Sequence, residues 1–128
     1  MSNNREGGHN LEREIARDLR PFFPKVATSR AASRVLDNCG VDIANVPFLI
    51  QAKKGYVTKR FNFQEMKEKT LELLSKHTDV PKYPYLLIRK IGPTKIVEMD
   101  IQTYTKLSKK YKPETVNIHY VDFLKMLE

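Results

Sequence analysis

Apolar residues recur every three or four positions at Leu11, Ile15, Leu19 and Phe22, a spacing that predicts an amphipathic first helix. Asn10 suits the N-cap, Glu12 and Glu14 suit the positive end, and Pro21 and Pro24 close the element. Residues 25–37 place Arg30, Ser33 and Arg34 among small residues and read as a strand followed by a loop. Two alternating runs, 40–45 and 48–54, read as strands. Asn62, with Glu65 three residues on, opens a second helix along Phe63, Met66, Thr70, Leu73 and Leu74. A strongly apolar strand over 83–91, a Gly92-Pro93 turn and a partner strand over 95–99 come next. Asp100 caps a third helix with Ile101, Tyr104, Leu107 and Tyr111 on one face. Residues 115–121 read as a last strand and 122–128 as a short terminal helix. The order αββαββα(β)α predicts an α/β fold, a central mixed sheet flanked by helices.

The two runs at 40–54 carry an unusual set of polar groups. Side chains alternate faces along a strand, so Val41, Ile43, Phe48, Ile50 and Ala52 share an apolar face. The other face holds Asp42, Ala44, Leu49, Gln51 and Lys53. In a hairpin closed around Val46-Pro47, Asp42 lies opposite Gln51, about 4.5–5.5 Å apart at the β-carbons, with Lys53 next along. Burying a carboxylate, an amide and an ammonium together is unfavourable unless something compensates. Mg²⁺ takes oxygen ligands and keeps several waters, so Asp42, Gln51 and the backbone carbonyl of Ala52 form a candidate set. Glu12, one residue off the apolar stripe of the first helix, is a further candidate. Lys53 is placed to orient a water or to neutralise charge on a reacting phosphate. An ordinary edge hairpin with polar residues facing water is the competing reading.

Composition narrows the partner. The 128 residues carry 23 Lys+Arg against 15 Asp+Glu, a formal charge of +8, which favours a polyanion such as nucleic acid. Length suits one domain, with residues 1–8 expected as a flexible arm and 9–128 as a single domain. Cys39 is the single cysteine, and His9, His77 and His119 are scattered, so neither a disulfide nor a cysteine–histidine metal site is expected. No apolar run reaches about 18 residues and the first residues lack the apolar core of a signal peptide, so a cytoplasmic, membrane-free protein is expected. No phosphate-cradling glycine loop appears, so no nucleotide cofactor is expected. The absence of aromatic-rich strands argues against an RNA module that stacks single-stranded bases.

Four segments, NLEREIARDL (10–19), SRAAS (29–33), GVDI (40–43) and IQAKKG (50–55), together resemble the PD-(D/E)XK nuclease superfamily, and within it the archaeal-type Holliday-junction resolvases. That family has a glutamate on its first helix, an arginine and a serine before the catalytic hairpin, an aspartate, and then (D/E)-X-K. The resemblance covers about residues 7–55; the later YPYLLIRK strand fits by general pattern. It implies a restriction-endonuclease-like sheet with an αβββαβ-type core. It also implies a Mg²⁺-dependent DNA endonuclease, with Mn²⁺ able to substitute, whose catalytic residues are Glu12, Asp42, Gln51 and Lys53. Glu12, Asp42 and Gln51 would hold the metal. Arg13, Arg30, Ser33, Arg34 and Lys54 would contact DNA. Products would be a 5′-phosphate and a 3′-hydroxyl. The chain departs from the motif at Gln51, where the family has an acid; an amide can ligate but adds no charge.

A junction resolvase nicks two strands symmetrically, so a homodimer is expected, built on either the 83–91 strand or the third helix with Tyr104 and Tyr111. Lys106, Lys109, Lys110 and Lys112 add positive potential or simply form a solvated face. Other nucleases of the superfamily, of repair or restriction type, and a non-catalytic DNA-binding protein on the same fold are the alternatives.

Overall fold

The computed structural model describes residues 4–55, 62–111, 115 and 120–128, with residues 4–8 and 110 described by backbone alone. Two apolar clusters form because strands β3 (Leu49–Lys54) and β4 (Tyr85–Ile91) bury both faces. On one face Leu11, Ile15 and Ala16 of helix α1 (Asn4–Leu19) pack on Ile43, Ile50, Leu86 and Ile88. On the other, Leu74 of helix α4 (Phe63–Leu74) joins Val41, Leu49, Tyr85 and Leu87. Each buried aliphatic side chain contributes about 1.5–3 kcal/mol, and truncating Ile50 to alanine would cost about 2–5 kcal/mol. The parallel β3–β4 pair explains why Tyr85, Leu86, Leu87 and Ile88 are all buried: a strand covered on both faces reads as a continuous apolar run.

The described residues form a five-stranded mixed sheet in the order β1-β2-β3-β4-β5. Strands β1 (Ala27–Thr28) and β2 (Ile43–Ala44) are short, and β5 (Thr94–Met99) forms the far edge. All neighbours are antiparallel except β3–β4, which α4 connects. The expected hairpin register holds, since Ile43 pairs with Ile50 across β2 and β3. The Asn62 side chain accepts from the Glu65 N–H at 3.0 Å, so the cap that opens α4 also stands as expected.

Several expectations are corrected. Helix α1 begins at Asn4, so Asn10 lies inside it and residues 4–8 are helical. It ends at Leu19; Phe22 is 72% exposed and Phe23 packs on the core in its place. The loop expected after β1 is helical: α2 (Ser29–Ala32) and α3 (Arg34–Asn38). Val41 belongs to the α4-side cluster, not to the face of Ile43, because the chain leaves extended pairing before Ile43. Gly40, at φ +87°, makes that turn. Tyr120 and Val121 belong to helix α6 (Tyr120–Met126), while the rest of the expected last strand lies at or beyond the edge of the described residues, as do Lys112 and His119.

Helix α5 (Ile101–Leu107) turns Thr103 inward and leaves Ile101, Tyr104 and Leu107 exposed. Asp100 stands at its N-cap without a capping bond; its carboxylate takes Lys67 of α4 at 2.6 Å. Strand β4 lies inside the sheet and is buried, so of the two surfaces considered for a dimer only the α5 face is open. No helix among the described residues is long and apolar enough to cross a membrane.

Candidate functional site

Strand β2 ends where β3 continues, and the candidate site lies at that fork. Among the described residues β2 and β3 share one paired position, Ile43 with Ile50. Just before it, the Asp42 N–H donates to the Ile50 carbonyl at 2.7 Å. The next ladder donor, the N–H of Ala52, finds no backbone carbonyl across the gap. It donates instead to Oδ2 of Asp42 at 2.7 Å. The carboxylate thus stands in for a missing strand and is pinned beside Gln51 and Lys53.

Four groups shape its charge. Burial pushes the Asp42 carboxyl up from 3.8 to about 7 against the Ala52 hydrogen bond; Glu12 raises it further, Lys53 lowers it, and Asp37 adds a small upward push. Glu12, from α1, and Lys53, from β3, therefore both act on the same carboxyl. Glu12 is buried at 8% exposure, and Arg30 of α2 reaches its Oε2 at 3.3 Å. Removing the Arg30 guanidinium would leave a buried carboxylate without its cation. Lys53 is half-buried and has no ion-pair partner among the described residues.

Gln51 sits deeper. Its side-chain oxygen accepts the hydroxyl hydrogen of Tyr85, and its amide nitrogen lies against Gly40, where an added β-carbon would come within 3.5 Å. An amide oxygen has a second lone pair, so this bond orients Gln51 without exhausting it. Tyr85 is buried at 2% exposure, and burial followed by the Asp42 charge keeps its phenol protonated well above the ordinary range. Tyr85 is a residue that sequence reasoning missed as part of the site. It lies two places along β4 from Leu87, the partner of Gln51 in a parallel register that no local pattern displays.

The expected DNA-contacting residues divide. Arg13, Arg34 and Lys54 are exposed. Arg13 touches the Asn10 amide at 2.5 Å, and Arg30 is engaged with Glu12. Ser33 is a cap: its hydroxyl accepts from the Leu36 N–H at 3.3 Å and opens α3. Ser29, fully buried, bonds the Asp42 carbonyl through its N–H at 2.8 Å, while its hydroxyl oxygen has no partner among the described residues.

Among the described residues no group of three or more His, Cys, Asp or Glu is gathered as a metal site. Comparison of the chain with protein-family models, curated proteins and solved structures finds no match. The function is therefore argued from the fork itself.

Proposed function

We propose that the chain is a Mg²⁺-dependent, structure-selective DNA endonuclease of restriction-endonuclease-like fold, a resolvase of four-way junctions. The observation that carries this reading is the Asp42 carboxylate held at 2.7 Å by the Ala52 N–H, between Gln51 and Lys53 on β3, with the charges of Glu12 and Lys53 both acting on it. The order α1-β1-α2-α3-β2-β3-α4-β4 departs from an αβββαβ core by the two short helices α2 and α3 between β1 and β2, and is compatible with it once they are taken as an insertion.

The donors suit the ion. The Asp42 carboxyl is pushed up to about 7, first by its own burial and further by the buried Glu12. Hard oxygen donors in a partly charged-starved pocket are what Mg²⁺ binds, and it retains waters where the protein offers few ligands. Asp42 and Glu12 would hold it, with Gln51 contributing the free lone pair of its amide. When bound, the ion supplies positive charge beside the phosphate and makes water more acidic. The chain's own residues do the rest. Lys53 presents an ammonium to the non-bridging oxygens as charge builds on them. Tyr85 holds Gln51 in place, and the Ala52 N–H holds Asp42. A second copy, docked through the exposed face of α5, would present a second site for the opposed strand.

The test is incubation with a four-way junction, a linear duplex and a single strand, with and without Mg²⁺. Paired nicks confined to the junction support the resolvase, and cutting of all three substrates supports a general nuclease. Tight binding with no cleavage assigns the fold to a DNA-binding protein without chemistry. Asp42→Asn and Lys53→Ala are expected to abolish cleavage and keep junction binding; undiminished turnover in either sinks the site.

A further inference from the structure

A groove of about 690 Å³ runs between α1 and the sheet, and neither Glu12, Arg30 nor the residues of the fork line it. Arg13 and Arg17 line it from α1, Arg20 from the turn that follows, Thr28 from β1 and Lys90 from β4, with Glu14 as its one acid. Glu14 is already held by Lys90 at 3.0 Å and by Lys95 at 3.0 Å. Those ion pairs fix its carboxylate and tie the helix to β4 and β5. The guanidiniums are differently placed. Arg20 has no carboxylate partner among the described residues, Arg13 touches only a neutral amide, and Arg17 stands 3.9 Å from Asp18 with its side chain 70% exposed.

Positions 13 and 17 stand one turn apart on α1, and Arg20 follows in the closing turn, its N–H bonded to the Arg17 carbonyl at 3.3 Å, so the three guanidiniums succeed one another along the groove. From the first to the last is about 10 Å at 1.5 Å per residue, or about three nucleotide steps at 3.4 Å per step along one strand. Cations lining a concavity reinforce one another, because the low-dielectric walls concentrate their field. A row of arginines suits phosphates, since the planar fork bonds two oxygens at once.

We propose that this groove binds the sugar–phosphate backbone of a DNA strand adjoining the fork, with Arg17 and Arg20 each neutralising one phosphate. The inference rests on the nuclease reading for its choice of DNA and extends it with a second contact surface that takes no part in the chemistry. The groove reads no bases; it sets register and direction for the strand entering the fork.

Junction binding measured in EDTA by fluorescence anisotropy, across a range of salt, tests the groove apart from catalysis. In Arg17→Ala/Arg20→Ala the slope of log affinity against log salt is expected to fall by about 1.8, at about 0.9 for each lost phosphate contact. Lys106→Ala/Lys109→Ala, on the exposed side of α5 and the turn after it, is expected to keep the wild-type slope. An unchanged slope in the arginine pair, an equal loss in the lysine pair, or no measurable binding by the wild type at low salt overturns the groove. Wild-type cleavage alongside an unchanged arginine-pair slope removes the groove and leaves the nuclease. A reduced slope in a protein that never cleaves does the reverse.

Discussion

The hydroxyl of Tyr85 donates to the side-chain oxygen of Gln51, bonding two strands that run in parallel and fixing the one residue that departs from an acidic motif. An amide at position 51 is thus held by a neutral donor that burial keeps protonated. Tyr85→Phe keeps the ring and removes the donor. The expected loss is about 1–2 kcal/mol of stability, since a partly buried acceptor is left without its partner. Cleavage is expected to fall while junction binding in EDTA is unchanged. Full cleavage by this variant would show that the orientation of Gln51 is irrelevant to the reaction.

Gln51→Glu restores the acid. Asp42 bonds the Ile50 carbonyl through its N–H and the Ala52 N–H through its carboxylate, on either side of position 51 along the chain, so the variant adds a third carboxyl beside one already pushed up to about 7. Without metal the variant is expected to unfold at a lower temperature at neutral pH. With Mg²⁺ it is expected to gain more than the wild type, because a ligand that binds only the native state stabilises it in proportion to affinity. Scanning calorimetry with and without the ion reads both shifts. Equal midpoints and equal gains would place position 51 outside the ion's reach.

Asp42 sets a pH dependence of definite sign. Its native value, about 7, lies above the unfolded 3.8, so the native state holds the proton more tightly. That contribution is complete below about pH 4, declines as pH rises through the native value, and is gone above it. Asp42→Asn keeps an oxygen for the Ala52 N–H and removes the titration. The stability advantage of the variant over the wild type is expected to grow by about 3 kcal/mol between about pH 5 and about pH 8, both in EDTA. Denaturant unfolding at several pH values measures the difference. A difference that does not change with pH would mean that the native carboxyl titrates at its ordinary value.

The sequence displays this site unevenly, for physical reasons. Alternation and a two-residue hairpin centre give the Ile43–Ile50 register, because side-chain direction in a strand has a period of two and a slip would turn apolar residues outward. Helix caps at Asn62 are similarly local. The faces of the hairpin are less legible: Val41 leaves its expected side because Gly40 turns the chain just before β2. Tyr85 is illegible as a partner of Gln51, since 34 residues and a helix separate them and a parallel register leaves no local trace. The arginines at 17 and 20 are visible as charges, but the groove that makes them neighbours exists only once β1 and β4 lie beneath α1.

The same limit governs the third helix. Its apolar stripe, Ile101, Tyr104 and Leu107, predicts a buried face, yet the fold turns Thr103 inward and leaves the stripe 75%, 42% and 48% exposed. Tyr111 beyond it is exposed as well. Exposed apolar side chains gathered on one helix are what a contact with another chain would cover. The two-fold symmetric assembly proposed above needs such a surface, self-complementary and larger than a chance contact. Tyr104→Glu/Leu107→Lys changes only exposed positions and is expected to leave the fold within about 0.5 kcal/mol of wild type. In sedimentation the wild type is expected to run with the mass of two chains and the variant with that of one. The variant should also lose the paired character of the nicks, cutting one strand per encounter while the site at Asp42 stays intact. A wild type that sediments as a single chain at cleavage concentrations, yet still makes paired nicks, would separate symmetry of cutting from symmetry of assembly and remove α5 from the account.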